Sequence, residues 1–239
     1  MSAEATDIPT RERLIVALDV PGFSEARTLV EQLGDEVLFY KIGLELAASR
    51  DYFPLLEWLL DHDKRVFADL KLYDIPATVA AAVRQMSRSG ASFLTVHGDP
   101  GIMRAAAENK GQSLKILAVT VLTSISREDL LNMGISMDVD ALTDQRAGQA
   151  IDSGCDGVIA SGLEAGRLRE KLGTGPLIVT PGIRFADHSG NDDQKRVVTA
   201  EASFRAGADY IVVGRPIRGA DDPRAAAQRF QREIAAVFE

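Results

Sequence analysis

Cysteine is almost missing from this chain: Cys155 stands alone among 239 residues. That excludes a disulfide framework and a thiolate metal cluster. Cys155 itself, in Ser153-Gly154-Cys155-Asp156-Gly157 between a helical and a strand-like segment, reads as a small filler. Histidine is scarce as well, and His62, His97 and His188 lie far apart in sequence, so a histidine-rich metal centre is not indicated. No apolar run approaches the roughly 20 residues that span a bilayer. A basic surplus is also lacking. The formal net charge of -8 argues against a nucleic-acid-binding surface and against an anionic membrane as partner. Residues 1–10 are polar and acidic, without the basic start and apolar stretch of a signal peptide. The expectation is a soluble, cytoplasmic protein with a frayed tail over residues 1–10.

What the chain does have is hydrophobic residues, 46% of the total, enough for one large core. Short apolar runs recur at residues 14–18, 38–42, 65–68, 93–96, 115–121, 157–160, 177–180 and 210–213. They are nearly continuous rather than alternating, as expected of parallel strands covered on both faces. Between them, segments such as 24–33, 77–89, 142–153 and 223–237 carry apolar residues at helical spacing. Eight strands, each followed by a helix, predict a (β/α)₈ TIM barrel forming a single domain over residues 11–239. The competing arrangement is a doubly wound open sheet. That fold usually carries an early glycine-rich dinucleotide turn, and Val20-Pro21-Gly22-Phe23 is no such turn.

In a barrel, chemistry sits at the C-terminal ends of the strands. The polar residues there are Asp19, Lys41, Asp69 with Lys71 and Asp74, His97, Thr123 with Ser124, Ser161, Arg184 and Arg215. Their expected convergence on one mouth marks a site more strongly than any one of them. Asp69 and Lys71 are two apart and share a face if the strand continues. A charge pair leaving a buried strand costs desolvation, so it either closes the strand mouth or serves a ligand. Lys41, closing Leu38-Phe39-Tyr40, adds a second lysine and favours a ligand site.

Gly214-Arg215 follows the last strand and Thr180-Pro181-Gly182-Ile183-Arg184 the seventh, where barrels commonly bind phosphate. Arg215 suits phosphate oxygens bidentately, although a turn glycine beside a surface charge would read the same way. Residues 185–196 are polar and irregular. They read either as a lid bringing Gln194 over a phosphate or as a solvated loop. Thr123 and Ser124 offer hydroxyls to a polar ring or a cap to the next helix. His97 fits a buried structural role better than a catalytic one, and Phe53 and Trp58 fit core or interface.

The run Asp69-x-Lys71-x-x-Asp74-Ile75-Pro76, with Thr180-Pro181-Gly182-Ile183-Arg184 and Asp193-Gln194, resembles the bacterial type of the orotidine 5′-phosphate decarboxylase family. The likeness extends from Leu14 to Ile217, and Lys41 falls at that family's other active-site lysine. The resemblance implies decarboxylation of orotidine 5′-phosphate to uridine 5′-phosphate in pyrimidine biosynthesis, with no cofactor and no metal. It implies a charged network of Lys41, Asp69, Lys71 and Asp74. Asp19 and Lys41 would hold the ribose hydroxyls and Thr123 and Ser124 the pyrimidine. Arg184, Gln194, Gly214 and Arg215 would hold the phosphate. It further implies a homodimer with shared active sites, Asp74 and Thr78 reaching into the neighbouring subunit. His97-Gly98-Asp99-Pro100 departs from the smaller glycine-rich run of the family.

The chemistry suits these residue types. Loss of CO₂ from C6 leaves a carbanion with no adjacent carbonyl to absorb the charge. An ammonium at Lys71 would stabilise that charge and then protonate C6, and flanking aspartates favour the cation. Asp69 would also face the substrate carboxylate, and electrostatic stabilisation of the carbanion ranks above any repulsion there. Two alternatives stay open: a Mg²⁺-dependent sugar-phosphate lyase or decarboxylase on the same barrel, and a non-catalytic phosphate-ligand-binding protein.

Overall fold

A computed structural model describes residues 8–186 and 198–239. Eight parallel strands follow one another around a closed barrel: β1 Leu14–Ala17, β2 Phe39–Ile42, β3 Arg65–Leu72, β4 Phe93–His97, β5 Lys115–Val119, β6 Gly157–Ile159, β7 Leu177–Thr180 and β8 Tyr210–Val213. β8 pairs back onto β1, with Ile15 opposite Val212. Closure satisfies both edges of every strand and disposes of the open-sheet alternative.

The helices wrap the barrel because each carries an apolar stripe. Helix Phe23–Leu33 buries Ala26, Leu29, Val30 and Leu33, at the spacing of one helical face. Helix Pro76–Met86, with proline in its first turn, buries Val79, Val83 and Met86. The helix expected over 142–153 starts earlier, at Val139, because Asp138 caps it by accepting from the Ala141 N–H. Asp99 likewise accepts from the Gly101 and Ile102 N–H groups and caps helix Pro100–Asn109, which gives the unusual His97-Gly98-Asp99-Pro100 run a local purpose.

Inside the barrel, side chains alternate with the two-residue period of a strand. Ile15, Phe39, Phe67, Phe93, Leu117, Val179 and Tyr210 form the lower interior cluster. The Phe93 ring lies 5.0 Å from that of Phe39 and 5.2 Å from that of Tyr210. Arg65, the first residue of β3, covers Phe39 with its guanidinium 4.3 Å above the ring and pairs with Glu12. This packed aromatic floor has a consequence for the mouth. Two residues further along the same faces come Lys41 after Phe39, Asp69 after Phe67 and Thr95 after Phe93.

Two expectations need correction. The tail does not run to residue 10: Ile8 is 7% exposed and joins the interior cluster, and Thr10 opens the short helix Thr10–Glu12. Burial of one isoleucine, worth roughly 1.5–3 kcal/mol, is enough to fix the chain there. Strand β3 does not end at Ala68 either; it continues to Leu72. Ala68 pairs with Leu94 and Leu72 with Val96, so β3 has two more residues than β4 over the same stretch. That bulge carries the charged residues.

Candidate active site

Lys71 lies within the bulge with φ of +48°. For a residue with a side chain, that left-handed conformation costs about 1–2 kcal/mol. Two contacts hold it: the Lys71 N–H donates to Thr95 Oγ1 at 2.9 Å, and the Lys71 ammonium donates to Asp69 Oδ1 at 2.8 Å. Asp69 and Lys71 therefore do face one another. The cause is the twist of the bulge as much as plain strand alternation. Thr95, which the sequence reading passed over, also donates its hydroxyl to Asp69 Oδ1 at 2.9 Å. Its place two residues beyond Phe93, on the inward face of β4, was the available signal.

Lys41 completes the array. Its ammonium lies 3.5 Å from Asp69 Oδ2 and 2.9 Å from Asp19 Oδ1. The Lys41 and Asp69 side chains are only 11% and 12% exposed, against 30% for Lys71. A Cβ at Gly43 would stand 3.1 Å from Lys41 Nζ, so the bare backbone there makes room for the ammonium. Burial alone would lower the Lys41 pKa, but Asp69 and Asp19 outweigh it and hold the pKa above its ordinary value. Burial would raise the Asp69 pKa, and here Lys41, Lys71 and the Thr95 hydroxyl together hold it below the usual carboxylate range. Buried charge is tolerated because every carboxylate oxygen of Asp69 meets a donor. Removing one partner of such a pair typically costs about 3–5 kcal/mol.

These residues open into a cavity of about 570 Å³ over the aromatic floor. Asp19, Lys41, Asp69, Lys71, Thr123, Ser124, Arg184, Gly214 and Arg215 all line it, and so does Arg218, which the sequence reading missed. Val121, Leu122, Ile159, Pro181 and Val212 give it apolar wall. The size and the mix of apolar wall with convergent polar groups suit a small polar molecule. Thr123 and Ser124 are not the cap of the following helix; Ser126 is, in a reciprocal capping box with Asp129. Arg184 is buried and donates to the Ile183 carbonyl at 2.8 Å.

Not every expected residue joins this wall. Ser161 is buried away from it, accepting from the Leu163 N–H while its own N–H donates to Glu164. The His97 ring lies 4.7 Å from the Tyr73 ring and is tilted against it; burial and Arg146 lower its pKa against a weaker opposite pull from Asp99. Asp74 and Thr78 are exposed and outside the cavity, Asp74 accepting from the Ile75 N–H at 2.7 Å. Gln194, with most of the suggested lid, lies outside the described residues. Phe53 is exposed, while Trp58 packs on Phe23 at 5.9 Å. The Cys155 thiol is buried, and its pKa is pushed up to about 12, first by that burial and then by Asp156, consistent with a filler. Among the described residues, no group of three or more His, Cys, Asp or Glu side chains is arranged to hold a metal ion, and no helix is long and apolar enough to cross a membrane.

Comparison with known proteins finds relatives along nearly the whole chain. A family model described as Orotidine 5′-phosphate decarboxylase / HUMPS family matches residues 12–230. The chain is 57% identical to the orotidine 5′-phosphate decarboxylase of Methylococcus capsulatus, over 97% of this chain and 95% of that one. It is 51% identical to the protein of the same name from Stenotrophomonas maltophilia, over 100% and 99% respectively. The crystal structure of orotidine 5′-phosphate decarboxylase from Lactobacillus acidophilus matches with a TM-score of 0.83 and 34% identity, covering 93% of this chain and 99% of that one.

Proposed function

The chain belongs to the Orotidine 5′-phosphate decarboxylase / HUMPS family, and from that premise we propose that it converts orotidine 5′-phosphate to uridine 5′-phosphate with Lys71 as the acid. The observation that carries this reading is the Lys41–Asp69–Lys71 array at the cavity floor, with the more exposed ammonium of Lys71 turned to the open side. As the C6–carboxylate bond breaks, its electron pair stays on C6 and CO₂ departs. The Lys71 ammonium faces the developing carbanion, stabilises it, and then gives C6 one proton, which solvent restores. Because Asp69 holds that ammonium, and Thr95 holds the Lys71 backbone N–H, before the substrate arrives, little reorganisation is left for the transition state.

Lys41 and Asp19 would hold the ribose hydroxyls, and Thr123 and Ser124 the pyrimidine edge. The Mg²⁺-dependent alternative would need Asp69 as a ligand. Both oxygens of that carboxylate are already engaged, Oδ1 by Lys71 and Thr95 and Oδ2 by Lys41, so a cation there would have to displace an ammonium. Loss of the orotate absorbance should therefore proceed at the same rate in exhaustively chelated protein as in untreated protein. Activity that vanished with chelator and returned with Mg²⁺ would transfer the assignment to the lyase alternative. No turnover under either condition would favour the non-catalytic ligand-binding reading.

Arg184, Gly214 and Arg215 line one part of the cavity and are proposed to receive the phosphate, with Gln194 added from the resemblance. Arg215→Ala should weaken the phosphate-bearing substrate by about 2–3 kcal/mol, the scale of a lost charge-assisted contact, and barely affect the phosphate-free nucleoside. Equal losses on both substrates, measured as kcat/KM, would make Arg215 a fold residue.

A homodimer with shared sites is the last part of the reading. Its support is the surface around Asp74: Tyr73 is 68% exposed and Ile75 66% exposed, and Leu44, just beyond β2, is exposed too. Apolar side chains that bracket a carboxylate at the rim of a cavity mark a surface that a second copy could cover.

A further inference from the structure

We infer that Arg218 is a third phosphate-directed guanidinium of this site, beside Arg184 and Arg215, for a substrate that carries both a carboxylate and a phosphate ester. The inference rests on the decarboxylase reading for the identity of the ligand. It rests on geometry for the residue.

Arg218 lines the cavity together with Gly214 and Arg215. It ends the short helix Arg215–Arg218, three residues after Arg215, and side chains three apart on a helix are neighbours. Ile217 between them is fully buried and pins that turn against the barrel. Arg218 is exposed, and its guanidinium makes no hydrogen bond or ion pair with any other described residue, although its backbone N–H donates to the Gly214 carbonyl. In a chain of net charge -8, an arginine without a carboxylate partner at a cavity wall remains available to an incoming anion.

The charge on the described part of the cavity points the same way. Its wall carries five cationic side chains, Lys41, Lys71, Arg184, Arg215 and Arg218, and two carboxylates, Asp19 and Asp69. Cations therefore outnumber carboxylates on that described wall, and the ligand would bring a carboxylate and a phosphate ester of about -1.5 to -2 at neutral pH. Like-signed charge focused by a cavity raises the local concentration of its ligand.

The test compares Arg218→Ala and Arg218→Lys with the unsubstituted protein, using uridine 5′-phosphate and uridine as binding probes and orotidine 5′-phosphate as substrate. At low ionic strength, Arg218→Ala should weaken uridine 5′-phosphate binding and raise KM by about fivefold, the upper range for an exposed ion pair. The loss should fall more on KM than on kcat. Arg218→Lys should restore most of it, uridine binding should not move, and the difference should fade as added salt shortens the screening length. Unchanged affinity for uridine 5′-phosphate, or an equal loss for uridine, would overturn the proposal. The two readings fail separately. A protein that binds uridine 5′-phosphate through Arg218 but never turns over orotidine 5′-phosphate sinks the decarboxylase reading alone. Active protein indifferent to Arg218→Ala sinks this one.

Discussion

Replacing Lys71 with alanine should abolish decarboxylation and leave the barrel folded. Lys71 would be both the principal cation facing the carbanion and the proton donor, so its loss removes stabilisation that exists only in the transition state. The expected cost is at least about 4 kcal/mol, or roughly a thousandfold in rate. Folding should survive because the side chain sits at the open end of the barrel, 30% exposed. Asp69 would keep Lys41 and the Thr95 hydroxyl as partners. Alanine at this position bears the same left-handed backbone cost as lysine, so the substitution leaves the bulge itself nearly unchanged. A cooperative thermal melt showing that the variant is folded at the assay temperature, together with turnover below about a tenth of normal, is the required pair of results. Activity above that level in a folded variant would take the acid's role away from Lys71.

Legibility in the sequence followed the regularity of the backbone. Buried parallel strands are apolar throughout, so all eight were visible, and the barrel then fixed where their polar last residues would gather. Nine of the fourteen residues named for the site line one cavity for that reason. Failures occurred where the backbone leaves its period. The end of β3 was placed at Ala68 because charge usually ends a buried strand; the strand continues because Asp69 and Lys71 turn inward to each other through a left-handed residue. Thr95 was passed over because a threonine inside an apolar run looks like strand propensity, and only the register of β4 beside β3 gives its hydroxyl a purpose. Ser161 stands at the end of a strand as the others do. A local turn with Glu164 claims it instead, and such side-chain competition is not written in spacing. Arg218 lay one helical turn past the residue that drew attention, in a helix too short to be seen from periodicity.

Asp74 and Thr78 raise a different question, since one chain alone leaves them outside the cavity it builds. Three residues past Lys71, the backbone has left the barrel, and the Asp74 side chain merely accepts from its neighbour's N–H. A residue proposed for the charged network but held on an exposed apolar rim acts either after a local rearrangement or in another subunit. Asp74→Ala and Lys71→Ala subunits, each inactive as homodimers, separate these cases when mixed. If Asp74 serves the partner's site, a mixed dimer places both lesions in one site and neither in the other. Equal amounts reassorting at random make about half of all dimers mixed, so roughly a quarter of normal activity should return from two inactive preparations. The gain requires subunit exchange, which differently tagged chains would report through co-purification. Should tagged chains exchange and activity still not return, Asp74 acts within its own chain, and the exposed rim of Tyr73 and Ile75 needs another explanation.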